Sequence, residues 1–234
     1  AGIAHDFNNI LQGIIGFADI IAKQPGLNES TRRRVERISQ EGHRGADLVR
    51  QILDFSRQSP PNLQPVAMEA LMPYFADLWR GTFPPEIHLT IEIQDTPCLV
   101  AGDTSQLSHV FTNLAVNGVE AMPQGGTLAV HLWTFTLSAN ELAPVAKMPA
   151  GGWVAVSIGD SGCGIAANDL PRVFEPFFTT KRTGRSAGLG LARAYGIIQQ
   201  HGGFVSLDSQ VNVGTTVTVY LPAFAPPDLT RPGA

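Results

Sequence analysis

The sequence predicts two domains, an all-α antiparallel helical hairpin followed by an α+β two-layer sandwich. In the first sixty residues, apolar side chains recur about every 3.5 positions, which is typical of a helix with a narrow apolar seam. Farther along, helical patterns are mixed with alternating patterns, which favours helices segregated from mostly antiparallel strands. We therefore expect the hairpin at 1–59, a linker at 60–66, the sandwich at 67–222 and a Pro-rich tail at 223–234.

The hairpin is predicted from two amphipathic helices and the turn between them. The seam of the first helix is formed by Ile3, Phe7, Ile10, Ile14, Phe17 and Ile21. Turn residues at 24–28 end this helix, and Glu29 can begin a second one that continues to Ser56 with a weaker seam. Glycines such as Gly42 and Gly45 weaken the expectation that this second helix is regular. A lone hairpin cannot bury its seam, so we expect a second copy to complete a four-helix bundle.

The second domain is predicted to contain three helices and five strands. The helices are expected at 68–79, 104–122 and 189–201. The strands are expected at 87–93, 127–135, 153–158, 204–208 and 215–221. In the first of these strands, for example, His88 and Thr90 alternate with Leu89 and Ile91, as in a strand with one buried face.

The bulk composition excludes several classes of protein. The chain has 234 residues, 44% of them hydrophobic, and its net charge of −4 gives no attraction to nucleic acid or to anionic membranes. No apolar run approaches the ~18 residues that span a bilayer. Cys98 and Cys163 are too few for a disulfide framework or a zinc site. We expect a cytoplasmic fragment, and a membrane anchor in a missing N-terminal part of the parent protein stays open.

Asn113 and Asn117 form the first candidate for binding chemistry. They lie four positions apart on the 104–122 helix, so both amides can face one pocket. Amide oxygens are suitable ligands for Mg²⁺, which prefers oxygen. Taken alone, the pair is more often a feature of the protein surface.

Asp160 begins the second candidate, in the segment Asp160-Ser-Gly-Cys-Gly164 directly after a predicted strand. A carboxylate at a strand end can accept a hydrogen bond from an exocyclic amine such as adenine N6. Gly162 and Gly164 would let the backbone approach a flat ring closely. A glycine turn after a strand is common, so this signal is also weak on its own.

Two further segments suit phosphate. Gly188-Leu-Gly190 precedes a predicted helix, whose free N–H groups and positive dipole end favour anions. The chain has no Gly-Lys pair, which excludes a P-loop. The aromatic segment Phe174 to Lys181, with the polar stretch 182–187 after it, suggests a lid that brings Lys181 or Arg185 near phosphate. A solvated loop over the edge of the core is the alternative.

In their order, these motifs resemble the N, G1, F and G2 boxes and the closing Gly-Thr of the ATP-binding domain of histidine kinases, which has the gyrase-type (Bergerat) fold. The matching segments are Asn113-x-x-x-Asn117, Asp160-x-Gly-x-Gly164, Phe174-Glu-Pro-Phe-Phe, Gly188-Leu-Gly190 and Gly214-Thr-Thr216. Ala4-His5-Asp6-Phe7-Asn8-Asn9-Ile10-Leu11 resembles the H-box of the dimerisation and phosphotransfer domain, in its His-Asp-Phe-Asn-Asn subgroup.

The resemblance implies binding of ATP and Mg²⁺, with Asn117 as a ligand of the metal. The nucleotide-binding residues that it implies are Asn113, Asn117, Asp160, Gly162, Gly164, Phe174, Lys181, Gly188, Leu189, Gly190 and Thr215. Two departures bear on this set. Ala187 stands where many relatives have a lid glycine, and Gly159 stands where an apolar strand residue is usual.

His5 is the candidate phosphoryl acceptor. It falls on the side of its helix opposite the apolar seam, and an unperturbed imidazole (pKa about 6.5) is largely neutral at cell pH. The resemblance implies that Asp6 orients the ring and that Asn9 orients water for dephosphorylation of a partner. The expected enzyme is thus a homodimeric sensor histidine kinase. It phosphorylates His5 from Mg-ATP, transfers the group to an aspartate of a response regulator, and on a further hypothesis also removes it.

Two other functions compete with this reading. A gyrase-type ATPase is opposed by the hairpin and by Asn113, because relatives that hydrolyse ATP have a glutamate there to activate water. A non-catalytic dimerisation scaffold is opposed by His5, Asn117 and Asp160, although Ala187 leaves room for it. The sequence leaves open the input signal, the cognate regulator and whether phosphorylation occurs within one chain or across a dimer.

Overall fold

The computed structural model describes residues 2–56, 60–180 and 188–224, without the side chains of 2–8, 47–48 and 50–56. The chain divides into two compact units, one containing the N-terminal helices and the other formed by residues 60–180 and 190 onwards. Gly188 and Leu189 are grouped with the first unit. Among the described helices, none has an apolar stretch sufficient to cross a membrane.

The first unit contains the predicted helical hairpin. Helix α1 spans Gly2–Ala22 and helix α2 spans Glu29–Ser56. The intervening turn places Gly26 at φ 84°, and the Asn28 side chain accepts a hydrogen bond from the Thr31 N–H (2.8 Å) at the start of α2.

From Ile10 onwards, where its side chains are described, the predicted apolar seam of α1 is exposed rather than packed on α2. Ile10 and Phe17 are 61% and 70% exposed, and Ile14 and Ile21 are also open to solvent. The buried contacts between the two helices are made by a neighbouring stripe that includes Ile15 and Ala18. The hairpin therefore leaves its seam available for another apolar surface.

The glycines of α2 allow close packing of the two helices. A Cβ added at Gly42 would lie 2.6 Å from Ile15 Cγ1, and one added at Gly45 would lie 3.1 Å from Leu11 Cδ2. Helix α2 runs without a break through both positions. The predicted second helix is confirmed, because tertiary contacts offset the low helix propensity of glycine.

We expect Gly42→Ala to destabilise the hairpin. Alanine gains about 1 kcal/mol of helix propensity, but overpacking against Ile15 costs about 1–3 kcal/mol, so the net loss is about 1 kcal/mol. Chemical denaturation at fixed protein concentration measures it. The matched control is Gly16→Ala in α1, where an added Cβ meets nothing within 4 Å and should raise stability. Equal stabilisation by both variants would contradict the close packing at Gly42.

The second unit has the predicted α+β architecture. Its helices are α3 (Met68–Thr82), α4 (Thr104–Glu120) and α5 (Gly190–Gln200). Its strands are β1 (Gln64–Ala67), β2 (Ile87–Ile93), β3 (Leu99–Gly102), β4 (Gly126–Leu137), β5 (Gly151–Asp160), β6 (Phe204–Gln210) and β7 (Gly214–Pro222). All three predicted helices and five predicted strands are present. The short strands β1 and β3 were not predicted, and β1 begins within the expected linker.

The main sheet has the strand order β2-β4-β5-β7-β6. Only the β2–β4 pair is parallel, so the expectation of mostly antiparallel strands is confirmed. The three helices pack on one face of this sheet around Phe75, Trp79 and Phe111, which are fully buried. Strands β1 and β3 form a separate antiparallel pair.

Candidate functional site

Helix α4 supplies the two asparagines of the candidate site. Its N-cap is Asp103, whose carboxylate accepts hydrogen bonds from the N–H groups of Ser105 and Gln106. Asn113 and Asn117 lie on one face of this helix and are half-buried. Partial burial of both side chains leaves the predicted inward-facing pair a prediction.

Asp160 lies at the end of β5, beside the same part of α4. Its Oδ1 accepts a hydrogen bond from the Gly162 N–H at 2.8 Å, which fixes the turn after the strand. A Cβ added at Gly118 would lie 3.2 Å from the Asp160 Cβ. Asp160 therefore packs against the residue that follows Asn117, and the first two sequence motifs lie next to each other. Gly118, whose small size permits this approach, was not among the predicted site residues.

The two glycines after Asp160 are required by packing within the protein. A Cβ at Gly162 would lie 2.6 Å from the Ala121 carbonyl oxygen. Gly164 has φ 68°, and a Cβ there would overlap the Gln210 carbonyl. The close approach of this loop to α4 and β6 explains both glycines, and their predicted role beside an adenine ring stays a prediction.

Thr215 is opposite Asp160 in the β5–β7 register. Opposed residues of an antiparallel pair place their side chains on the same face, so the buried Thr215 shares the face of Asp160. Its hydroxyl is 2.8 Å from the Ser209 Oγ, which also accepts the Ile165 N–H at 2.8 Å. This network connects the loop after β5 to the β6–β7 hairpin.

The N-terminus of α5 lies against Asn117. A Cβ added at Gly190, the first residue of the helix, would lie 3.8 Å from the Asn117 Nδ2. The preceding Gly188 adopts φ 67°, a left-handed conformation that glycine favours. Free N–H groups and the positive end of the α5 dipole are thereby combined with an amide side chain, which suits phosphate.

Phe174 packs beside α5 on Tyr195, which was not among the predicted site residues. Its ring centroid lies 5.1 Å from that of Tyr195. The same segment is held by Arg172, which ion-pairs with Glu175 (3.2 Å) and lies over the Phe178 ring (4.4 Å). Tyr195 carries no motif of its own, and only its position one turn into α5 could have suggested this contact.

Several predicted site residues fall outside the described part of the structure. Lys181, the stretch 182–187 and the side chains of His5 and Asp6 lie there. The backbone of His5 and Asp6 belongs to α1, and Asn9, four positions after His5, is exposed on that helix.

The residues that converge in the second unit fit a Mg-nucleotide chemically. Asp160 offers a carboxylate acceptor for an amine, and Asn113 and Asn117 offer amide oxygens for a hard cation. The free N–H groups at the N-terminus of α5, which begins at Gly190, can bind an anion. These three kinds of group come from α4, β5 and α5, which lie side by side around Gly118 and Asn117.

Comparison with known protein families supports a nucleotide-binding site in the second unit. Residues 102–225 match the family of histidine kinase-, DNA gyrase B- and HSP90-like ATPases, and residues 1–61 match the His kinase A (phospho-acceptor) domain. The sensor kinase CckA of Brucella abortus (strain 2308) is 38% identical over 226 residues. This alignment covers 94% of the chain but only 23% of that relative.

Solved structures have the same fold. Full-length ShkA in complex with AMPPNP superposes with a TM-score of 0.68 at 24% identity, over 95% of the chain and 45% of ShkA. The histidine kinase ThkA in complex with the response regulator protein TrrA superposes with a TM-score of 0.64 at 23% identity, over 95% of the chain and 60% of that protein.

Proposed function

The chain belongs to the sensor histidine kinases, and from this premise we propose that it is the catalytic core of such an enzyme. It binds Mg-ATP, phosphorylates its own His5, and passes the phosphoryl group to an aspartate of a response regulator. The observation that carries this proposal is the convergence of Asn117, Asp160 and Gly190 from three elements on one site.

Each part of that site has a role toward the nucleotide. Asp160 accepts a hydrogen bond from adenine N6, and Thr215 lies beside it on the neighbouring strand. The N-terminus of α5 at Gly188, Leu189 and Gly190 binds phosphate oxygens. Gly162, Gly164 and Phe174 shape the pocket, and Lys181 reaches the phosphates. The AMPPNP complex of ShkA supports a nucleotide in this fold.

Asn117 would hold Mg²⁺, which neutralises phosphate charge when it is bound. Asn113, one turn earlier, faces the same site. An amide is a poor base, so Asn113 does not activate water, and phosphoryl transfer is favoured over hydrolysis. A gyrase-type ATPase is the less suitable function for that reason.

His5 acts as the nucleophile. A lone pair of the neutral imidazole attacks the γ-phosphorus, an N–P bond forms, and the bond to the β,γ-bridging oxygen breaks as ADP leaves. Asp6 orients the ring by accepting a hydrogen bond from the N–H of its other nitrogen. In the second transfer, the N–P bond breaks and an aspartate oxygen of the regulator takes the phosphoryl group.

Two protein partners are proposed for this chain. The exposed seam with Ile10, Ile14 and Phe17 would be buried by a second copy, which supports a homodimer. The complex of ThkA with TrrA supports a response regulator as the second partner. Because ATP and phosphorylated regulators are used inside the cell, we place this activity in the cytoplasm.

Asn9 is proposed to orient the water that removes phosphate from the regulator. It is exposed on α1, four positions after His5. We expect Asn9→Ala to autophosphorylate at the wild-type rate but to dephosphorylate the phosphorylated regulator at least about tenfold more slowly, because one positioning contact is lost. Release of phosphate from labelled regulator measures this rate. Undiminished dephosphorylation would refute the role.

The experiment that tests the main proposal is incubation of the dimeric protein with γ-labelled ATP and Mg²⁺. Label that is acid-labile and base-stable indicates phosphohistidine. Free phosphate without labelled protein would indicate an ATPase, and neither product would indicate a scaffold.

A further inference from the structure

Asp103 joins three segments of the second unit. The linker residue Asn62 donates its backbone N–H to Asp103 Oδ2 at 3.1 Å. The other carboxylate oxygen, Oδ1, accepts the Ser105 N–H (3.0 Å), the Ser105 hydroxyl (2.7 Å) and the Gln106 N–H (3.2 Å) at the start of α4. The backbone N–H of Asp103 donates to His201 Nε2 at 3.0 Å, just after the end of α5.

His201 is built into this junction. It is only 5% exposed, and its Nδ1 lies 2.8 Å from the Ile197 carbonyl oxygen. Because Nε2 accepts from Asp103, the proton must be on Nδ1, and the ring is a neutral bridge between α5 and the residue before α4. A Cβ at Gly102 would lie 3.7 Å from His201 Cδ2, so the ring packs directly on the end of β3.

The hydrogen bonds also fix the charge of the Asp103 carboxyl. The Ser105 hydroxyl, followed by the Asn62 N–H, lowers its pKa to about 2. At cell pH the group is an ionised acceptor with donors on both oxygens.

Both helices tied at Asp103 lead to the candidate nucleotide site. Along α4, Asn117 lies fourteen positions after Asp103, which is about 21 Å of helix. Helix α5 runs in the opposite sense, from Gly190 beside Asn117 to His201 beside Asp103. Asn62 belongs to the second unit and follows Ser56, the last residue of α2, by six positions in the sequence.

We propose that Asp103 is a positioning residue for phosphoryl transfer: its bond to the Asn62 N–H fixes the point at which the linker leaves the ATP-binding domain. This inference rests on the proposed kinase function. In-line transfer depends strongly on the orientation of the two reacting groups. Without this restraint, the linker would present bound nucleotide to the phosphoacceptor in a wider range of orientations, and a smaller share of them would be productive. The contacts that hold the nucleotide would not change.

Asp103→Asn tests the linker bond separately from the helix cap. Asparagine caps helices as well as aspartate does, so Oδ1 keeps its three donors, whereas Nδ2 would meet the Asn62 N–H donor against donor. In the full dimeric chain, we expect autophosphorylation at saturating ATP to slow by about tenfold. The KM for ATP should stay within about twofold and the melting temperature within about 2 °C of wild type, because the loss is orientational.

A second variant breaks the same bond from the other side. Asn62→Pro removes the N–H donor and leaves the Asp103 side chain intact. It should slow autophosphorylation by a similar factor, and the double variant should be no slower than either single one, because both remove one interaction. The matched control is Ser105→Ala, which takes the hydroxyl donor from Oδ1 but leaves the Asn62 bond, and which should keep the wild-type rate.

The outcomes separate this inference from the proposed function. If wild type acquires label and binds ATP, but Asp103→Asn and Asn62→Pro react at the wild-type rate, the positioning role is refuted and the kinase stands. A raised KM or a lowered melting temperature that accounts for the whole loss would likewise overturn it, because Asp103 would then be only a helix cap. If wild type acquires no label, the kinase function itself fails.

Discussion

A His5→Gln variant is expected to bind ATP with unchanged affinity and to acquire no acid-labile, base-stable label. Glutamine is similar in size and polar, so α1 should be retained. Its amide nitrogen has no available lone pair, because that pair is delocalised into the carbonyl, whereas neutral imidazole offers one at cell pH. Loss of the nucleophile removes the chemical step outright, and the measured rate should fall below detection.

His43→Gln is the matched control for that loss. His43 is an exposed histidine of α2, and its replacement makes the same chemical change in the same hairpin. We expect it to be labelled at the wild-type rate. Label remaining on His5→Gln would show that another residue accepts the phosphoryl group. A nucleotide-binding measurement on the same samples separates loss of the acceptor from loss of ATP.

Most elements of the fold could be predicted because their patterns are local. Strand β2 was predicted at both ends from the strict alternation of its side chains. Strands β1 and β3 were missed because four residues are too few to establish a period, and their pairing joins residues that are far apart in the sequence. Tertiary contacts of that kind are not visible in a short window of sequence.

The hairpin shows a different limit. The 3.5-residue seam of α1 was evident, but a neighbouring stripe that includes Ile15 and Ala18 packs inside the hairpin. When two apolar stripes lie side by side on one helix, the sequence of that helix does not indicate which of them packs within the same chain. The role of Gly42 could not be predicted for the same reason, since it depends on contact with Ile15 of the other helix.

The candidate site was predicted through its motifs rather than its contacts. Asn117, Asp160 and Gly190 were each weak in isolation, and the structure brings them to one place around Gly118. Gly118 and Tyr195 were missed because neither carries binding chemistry. They matter only through the neighbours they admit or support, which a single sequence does not reveal.

Asp160→Asn is expected to weaken ATP binding by roughly 10- to 100-fold, from a loss of about 1.5–3 kcal/mol. The loop should survive, because the asparagine Oδ1 can still accept the Gly162 N–H that Asp160 Oδ1 now accepts at 2.8 Å. The change therefore acts on the second carboxylate atom, which becomes an NH₂ donor. In the proposed contact with adenine N6, this NH₂ would set donor against donor, and a buried pair of that kind is costly.

Exchange of an acceptor for a donor at residue 160 also predicts a change in which nucleotide base is preferred. That change provides the control. Inosine triphosphate has a carbonyl acceptor at the position of the adenine amine, so the asparagine NH₂ can donate to it. Wild type should bind ATP more tightly than inosine triphosphate, and Asp160→Asn should narrow or reverse that preference, because the hydrogen-bonding sense of one partner is exchanged. Titration of both nucleotides into both proteins measures the four affinities. Equal losses for the two nucleotides would mean that residue 160 supports the loop and does not contact the base.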